Sequence, residues 1–199
     1  MGSKELKNRS TWQKNSGKKA KIAEHDFYNV FLQEFKNTKF VIRESPQEFT
    51  NIYVDVELDK KVLEEIYIPE EKIETHGIVP DYAIDNTQTQ KTIYVEVKRQ
   101  DGWVEGGKRQ DGRGNAHERS CKYFTPGLLK ILKSEGNLGN DVLPFWTVFI
   151  GNITRDPCRV KEITQWYAGC EEHYFMWRDT TNSLKLINHF NKNLKKLLL

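Results

Sequence analysis

The sequence predicts an α/β protein in which helices pack on a mixed β-sheet. Segments with helical and strand periodicity alternate along its 199 residues, a pattern typical of that class. Hydrophobic residues make up 37% and charged residues 30% of the chain, which indicates a modest core beneath a charged surface. The sequence has no apolar run long enough to span a membrane, and its three cysteines lack metal-ligand spacing. We therefore expect a cytoplasmic protein with free thiols.

The first half of the chain predicts a helix, a short helix and a β-hairpin. Residues 18–37 place apolar side chains on one helical face, namely Ile22, Phe27, Val30, Phe31 and Phe35. A charged stretch near residue 62 predicts a short helix that ends by Pro69. Gly77–Ala83 and Thr92–Lys98 are rich in β-branched and aromatic residues and flank a polar turn, so they predict a hairpin.

The second half begins with a glycine-rich loop, Gln100–Arg119. A helix interrupted near Pro126, a central strand over Leu143–Ile150, a helix over 159–167 and a late strand over His173–Arg178 follow. The pattern ends in a closing helix over 183–197, for which we expect inward-facing Leu184, Ile187, Leu194 and Leu197.

Positive charge is concentrated at the start of the chain, although the net charge is only +3. Residues 1–20 contain one acid, Glu5, and predict a flexible basic arm ahead of a single domain over 21–199; the basic residues are Lys4, Lys7, Arg9, Lys14, Lys18 and Lys19. Such an arm is either a DNA phosphate contact or an ordinary solvated terminus, and its position favours the second interpretation.

The clearest chemical signal is the pair Pro80-Asp81 and Glu96-Val97-Lys98. Residues two apart on a strand share a face, so Glu96 and Lys98 lie side by side, and hairpin pairing brings Asp81 toward them. Two carboxylates suit Mg²⁺, which neutralises a phosphate and activates water, while a lysine stabilises developing charge. Each half alone is ordinary surface or turn sequence; together they indicate phosphodiester cleavage.

These residues match the PD-(D/E)xK nuclease signature, read as PD-x14-ExK. Downstream, Gly114-Asn115-Ala116-His117-Glu118-Arg119 resembles the GNAIER recognition segment of EcoRI, with His117 in place of isoleucine. Arg113 before this segment and the chain length are similar to the MunI-like branch. The chain therefore resembles the EcoRI/MunI group of type II restriction endonucleases, with the signature segments covering about residues 79–119.

The resemblance implies a restriction-endonuclease-like core with a five-stranded mixed β-sheet flanked by α-helices. It also implies a homodimer that uses Mg²⁺, held by Asp81 and Glu96, to cut both strands of double-stranded DNA at an AATT-centred palindrome. For the MunI-like branch the site is CAATTG and the products have 5′ overhangs. A cognate DNA methyltransferase is the implied system partner, and no membrane is involved.

Residue roles follow the same resemblance: Asp81, Glu96 and Lys98 are the catalytic set. DNA contacts, through side chains that read base edges or through the close approach of the protein backbone, are expected from Arg113, Gly114, Asn115, Ala116, Glu118 and Arg119. Phosphate contacts are expected from Lys108 and Arg109. Arg113 is the candidate for the outer G·C pair, His117 is expected to be structural, and Asp55 or Glu57 is a candidate further acid. The alternatives are a structure-selective repair or recombination nuclease of the same superfamily and a non-catalytic DNA-binding module.

Overall fold

The computed structural model describes residues 21–109 and 114–199, which form a five-stranded mixed sheet with helices on both faces. The sheet order follows the chain order. Its first three strands are antiparallel neighbours, and the last three run parallel; they are β1 Phe40–Glu44, β2 Tyr82–Asn86, β3 Lys91–Arg99, β4 Phe145–Ile150 and β5 Tyr174–Trp177. The predicted number and mixture of strands are confirmed. The basic arm and Arg113 lie outside the described residues.

The predicted hairpin forms from β2 and β3, but its first strand begins later than expected. Tyr82 pairs with Val95, and the ladder continues to Asn86 opposite Lys91. The residues before Tyr82 pair elsewhere, since the Ile78 amide donates to the Phe49 carbonyl at 3.1 Å. Pro80 also has no amide hydrogen for a ladder. Asp81 therefore stands at the beginning of a strand rather than inside one.

One face of the sheet is covered by helix α1, residues 21–34. Phe27, Phe31 and Phe35 recur at helical spacing and are buried, and the rings of Phe27 and Phe31 contact Trp146 of β4. Each fully buried aromatic side chain of this kind stabilises the fold by about 1.5–3 kcal/mol. Ile22 was predicted on this face but is 60% exposed, because the buried stripe continues through Ala23.

The chain ends on the same face, where the predicted closing helix forms in three pieces. These are α5, Leu184–His189, then a π-helical turn over Phe190–Leu194 and a 3₁₀ turn over Lys195–Leu198. The buried side chains are spaced by four residues: Leu186, Phe190, Leu194 and Leu198. The expectation that Leu184 faces inward is wrong, since it is 67% exposed and lies two residues off this stripe.

The opposite face carries a 3₁₀ helix over Ala116–Phe124 and two α-helices, α3, Pro126–Glu135, and α4, Pro157–Trp166. The 3₁₀ helix replaces the end of the predicted loop and the beginning of the predicted helix near Ser120. Helix α4 begins two residues earlier than predicted because the Asp156 carboxylate caps it, accepting from the amides of Cys158 and Arg159. The short helix α2, Lys60–Glu65, forms as expected and buries no side chain.

These layers bury strand β3 on both faces, and that burial determines the environment of the site. Ile93, Val95 and Val97 face α1 and the closing segment, as predicted. On the other face, Glu96 is only 5% exposed because the 3₁₀ helix covers it. No helix among the described residues is both long and apolar enough to cross a membrane.

Candidate active site

Asp81, Glu96 and Lys98 converge at the junction of β2 and β3. The Val97 amide donates to Asp81 Oδ2 at 2.7 Å, which holds the Asp81 carboxylate beside the strand that carries Glu96 and Lys98. Lys98 Nζ lies 3.7 Å from Asp81 Oδ2 and forms an ion pair with Glu96 Oε1. The sequence-predicted trio is thus brought together by one backbone hydrogen bond and the two-residue period of β3.

The two acids interact unfavourably in this setting. The pKa of Asp81 is raised from 3.8 to about 7, chiefly by burial and then by the charge of Glu96, while Lys98 and the Val97 amide lower it. A carboxyl group in this state is partly protonated at neutral pH. A cation placed between the two acids would remove both causes of the shift, the desolvated charge and the repulsion.

Lys98 remains an ammonium ion in the same setting. Burial alone lowers its pKa, but the charges of Glu96 and Asp81 and the bond to Glu96 outweigh burial, so the pKa stands above its ordinary value of 10.5. Its side chain is 17% exposed, which leaves the charged end accessible at the surface of the site. Lys98 can therefore both neutralise the acids and donate to an incoming anion.

Glu96 has a second partner that the sequence did not indicate. The hydroxyl of Tyr123, at the far end of the 3₁₀ helix, donates to Glu96 Oε2 at 2.9 Å. The Tyr123 ring is 1% exposed and packs against Phe145 of β4. No sequence motif marks Tyr123, because its approach to Glu96 depends on how the 3₁₀ helix crosses the sheet.

A further acid, Glu24 of α1, interacts electrostatically with the trio. The pKa of Glu24 is raised, first by burial and then by Glu96, while Lys98 lowers it, so its carboxylate lies within electrostatic range of the trio. The further acid expected from the sequence was Asp55 or Glu57. Both are exposed on the chain between β1 and β2, and neither is among the charges that shift the pKa of Asp81.

The segment Gly114–Arg119, which we term the recognition segment, presents polar side chains outward. Asn115, Glu118 and Arg119 are exposed, and Asn115 Nδ2 donates to Glu118 Oε2 at 3.1 Å. Gly114 and Ala116 are half-buried and connect these side chains to the body of the protein. The exposed amide, carboxylate and guanidinium are the groups that can read base edges.

His117 points the other way and is structural, as predicted. It is fully buried and stacks on Trp166, and its Nδ1 lies 3.0 Å from Gln100 Oε1. Burial lowers its pKa while the hydrogen bond to Glu162 raises it, and Gln100 Oε1 can only accept, so Nδ1 carries a proton. The ring Nε2 lies 3.3 Å from Glu162, whose carboxylate is already bound by Arg159 at 2.7 Å.

Lys108 and Arg109 lie on the exposed loop after β3. The Arg109 guanidinium is 5.6 Å from the centre of the Trp103 ring, in cation–π range. Both side chains are exposed, and the loop that carries them begins after Arg99, the last residue of β3 and the neighbour of Lys98. This position is compatible with the predicted phosphate contacts.

The donor set is compatible with Mg²⁺. Within residues 21–109 and 114–199, no group of three or more His, Cys, Asp and Glu side chains is arranged as a metal cage. Mg²⁺ does not require one, because it commonly binds one or two carboxylates and completes its shell with water and substrate phosphate. The carboxylates of Asp81 and Glu96 are hard oxygen donors of the kind Mg²⁺ binds, and a divalent ion between them would relieve their mutual repulsion.

The five-stranded sheet with Asp81, Glu96 and Lys98 gathered at one junction defines a nuclease of the PD-(D/E)xK class. A family model described as type II restriction enzyme MunI matches residues 1–199. The type II restriction enzyme MunI of Mycoplasma sp is 51% identical over 201 residues, covering 100% of both chains. The chain therefore belongs to the MunI family of type II restriction endonucleases and is a site-specific endonuclease.

A solved structure agrees with this assignment. The crystal structure of MunI restriction endonuclease in complex with cognate DNA matches with a TM-score of 0.81 and 50% sequence identity. The match covers 94% of this chain and 97% of that chain. At this identity and coverage, the predicted restriction-endonuclease-like fold is confirmed.

The repulsion at the site makes a prediction about stability. Without metal, Asp81→Asn should raise the free energy of unfolding at pH 8 by about 1–3 kcal/mol, since one pKa unit is worth about 1.4 kcal/mol. The asparagine still accepts from Val97. Because the folded-state pKa of Asp81 is raised, the gain should shrink as the pH falls from about 7 toward 4, where wild type protonates.

Thermal melting in EDTA checks this prediction, with Asp85→Asn as the matched control. Asp85 lies on the same strand but accepts two bonds from the Arg43 guanidinium, at 2.5 and 3.1 Å, so its loss should destabilise the protein. Added Ca²⁺ should raise the melting temperature of wild type more than that of Asp81→Asn. A lower melting temperature for Asp81→Asn in EDTA at pH 8 would contradict the electrostatic account.

Proposed function

We propose that this endonuclease hydrolyses both strands of double-stranded DNA at the palindrome CAATTG, with Mg²⁺ as cofactor, and leaves 5′ overhangs. The convergence of Asp81, Glu96 and Lys98 carries the catalytic part of this proposal. The resemblance of the recognition segment to GNAIER supports the AATT core. Membership of the MunI family supports the outer base pair.

In the proposed mechanism each residue of the trio has one task. Asp81 and Glu96 would hold Mg²⁺, which when bound supplies charge neutralisation at the phosphate and a more acidic water. The Val97 amide fixes the Asp81 carboxylate, so its orientation is set before DNA arrives. Lys98, held as an ammonium ion by its two acidic neighbours, donates to the non-bridging oxygen where negative charge grows, or to the attacking water.

The exposed polar groups of the recognition segment would read bases in the major groove. Asn115 suits a bidentate pair with adenine, Glu118 accepts from an exocyclic amine, and Arg119 donates to neighbouring base edges. The Asn115–Glu118 hydrogen bond holds two of these groups in fixed relation before binding. Arg113 lies outside the described residues; its proposed partner, guanine O6 and N7, rests on the sequence alone. Lys108 and Arg109 are the proposed phosphate contacts.

Three further parts of the proposal concern assembly and context. A palindromic site has two-fold symmetry, so a homodimer would place one active site on each strand. A cognate DNA methyltransferase would protect the host's own sites. Cys121, Cys158 and Cys170 are all free, which supports action in a reducing cytoplasm.

The first prediction of this proposal is cleavage of a defined sequence. With Mg²⁺ the protein should cut long DNA of known sequence into discrete fragments that end at CAATTG, and EDTA should abolish cutting. Sequencing of the fragment ends checks the site and the overhang together. Discrete cuts at a different AATT-containing site would remove CAATTG from the proposal, and cuts confined to branched DNA would favour the repair-nuclease alternative.

The second prediction separates metal binding from base reading. Metal-free wild type should bind its site weakly, because Asp81 and Glu96 repel the scissile phosphate. Asp81→Ala should abolish cutting yet tighten metal-free specific binding. Ca²⁺ should likewise tighten the specific binding of wild type without supporting cutting. Asp141→Ala, an exposed acid on the loop before β4, is the control and should leave both properties unchanged. Equal metal-free affinities of wild type and Asp81→Ala would count against this role of the acids.

The third prediction concerns the outer base pair. Arg113→Ala should reduce discrimination at that pair by about 1–3 kcal/mol, as expected for the loss of one bidentate contact to guanine. Binding in Ca²⁺ to a set of sites that differ only at the outer pair measures the change. Lys108→Ala is the comparison, since loss of a phosphate contact weakens binding to every site alike. An unchanged preference at the outer pair would exclude Arg113 from base reading.

A further inference from the structure

Two contacts, one from the recognition segment and one from the 3₁₀ helix that continues it, join this part of the chain to the strand that carries Glu96 and Lys98 and to the residue that follows it. We propose that Gln100 and Tyr123 couple base reading to the active site, and that Tyr123 is the positioning residue of the Glu96 carboxylate. The inference rests on the proposed function, because it assumes that Glu96 holds the metal ion and that the recognition segment contacts bases.

Gln100 makes the contact at the start of the recognition segment. It follows the last residue of β3 and is 7% exposed. Its Nε2 donates to the Gly114 carbonyl at 2.6 Å, while its Oε1 accepts from the His117 amide at 3.4 Å and from the ring Nδ1 at 3.0 Å. One side chain, two positions beyond Lys98, therefore fixes both the entry of the segment and its one buried residue.

Tyr123 makes the contact at the other end. The 3₁₀ helix over Ala116–Phe124 carries the exposed Glu118 and Arg119 near its beginning and the buried Tyr123 near its end. Tyr123 Oη donates to Glu96 Oε2 at 2.9 Å. The helix thus has proposed base-reading groups on its solvent side and a direct bond to a proposed metal ligand on its inner side.

The two oxygens of Glu96 are held from different directions. Lys98 binds Oε1 and Tyr123 binds Oε2, so the carboxylate cannot rotate without losing a partner in a buried setting. The pKa of the Tyr123 hydroxyl is raised, chiefly by burial and then by Glu96, so the hydroxyl stays a donor at every working pH. Partners of this kind orient metal ligands and typically change metal affinity by about 10–100-fold when removed.

The proposed coupling between base reading and the active site depends on the short connection that these contacts make from the recognition segment to the Glu96 carboxylate. A shift of the recognition segment on a mismatched site would move the 3₁₀ helix, and with it the Tyr123 hydroxyl and the Glu96 carboxylate. The segment is also attached just beyond β3 through Gln100, so the two contacts reach the strand on either side of Lys98, at Glu96 and at Gln100. Metal binding and base recognition would therefore favour the same position of the helix.

The test compares Tyr123→Phe with Tyr167→Phe. Each substitution removes one hydroxyl from a buried ring in the same core cluster, but Tyr167 donates to Thr147 at 2.6 Å instead of to Glu96. Specific DNA binding is followed by fluorescence anisotropy as a function of Ca²⁺, which supports binding without cutting. For Tyr123→Phe we expect the half-saturating Ca²⁺ concentration to rise about 10-fold, with the same affinity at saturating Ca²⁺.

The plateau separates positioning from general damage, because a misfolded fraction lowers binding at every Ca²⁺ concentration. Tyr167→Phe should keep the wild-type midpoint. A Tyr123→Phe midpoint within about twofold of wild type, or an equal shift in both variants, overturns the positioning role while the proposed function stands. Wild-type binding that does not depend on Ca²⁺ overturns the metal role of Glu96, and this inference with it.

A second pair of variants tests the other contact. Gln100→Met keeps the side-chain length but removes its bonds to Gly114 and His117, and Gln165→Met makes the same change on the exposed surface of α4. At saturating Ca²⁺, Gln100→Met should lower the preference for the specific site over a single-mismatch site about 10-fold, a typical value for one lost contact. An unchanged preference overturns the coupling through Gln100.

Discussion

The bond between the Val97 amide and the Asp81 carboxylate is the interaction on which the rest of the site depends. It attaches an acid from the start of β2 to β3, the strand that supplies Glu96 and Lys98. Among the described residues, no other hydrogen bond between these two strands joins a backbone group to a side chain. The register of the β2–β3 hairpin then sets the separations among Asp81, Glu96 and Lys98 together. Burial of β3 on both faces supplies the low polarity that makes the charges of this trio interact strongly.

That burial opposes stability in the absence of a cation. Two acids are held close together where water cannot fully solvate them, and a single lysine offsets only part of the repulsion, as the raised pKa of Asp81 indicates. The protein maintains this arrangement through the packing of α1 and the closing segment on one face and of the 3₁₀ helix on the other. Repulsion between the two acids of the empty site would favour a divalent cation, in agreement with the proposed metal-binding role of Asp81 and Glu96.

The recognition segment and the active site are parts of one short structure. The chain leaves β3 beyond Lys98, returns at Gly114 to bind Gln100, and passes across the sheet to bring Tyr123 to Glu96. The replacement of isoleucine by His117 fits this arrangement, since the imidazole gains a hydrogen bond to Gln100 and a stacking contact with Trp166. A histidine at this position thus serves the packing of the segment rather than its contact with DNA.

The sequence by itself determined the class of fold and the hairpin, and it singled out the cluster of Asp81, Glu96 and Lys98 and, through its resemblance to GNAIER, the recognition segment. These follow from periods of two and about four residues and from motifs contiguous in the chain, which are local properties. Tertiary structure alone decided that Glu96 is buried, that Glu24 approaches from α1 and that Tyr123 meets Glu96. Each of these depends on how distant elements cross the sheet, and no local pattern encodes a crossing. Only Ile22 of α1 and Leu184 of α5 were wrongly placed among the inward residues, one and two positions from the buried stripe, since packing selects among neighbouring helical stripes.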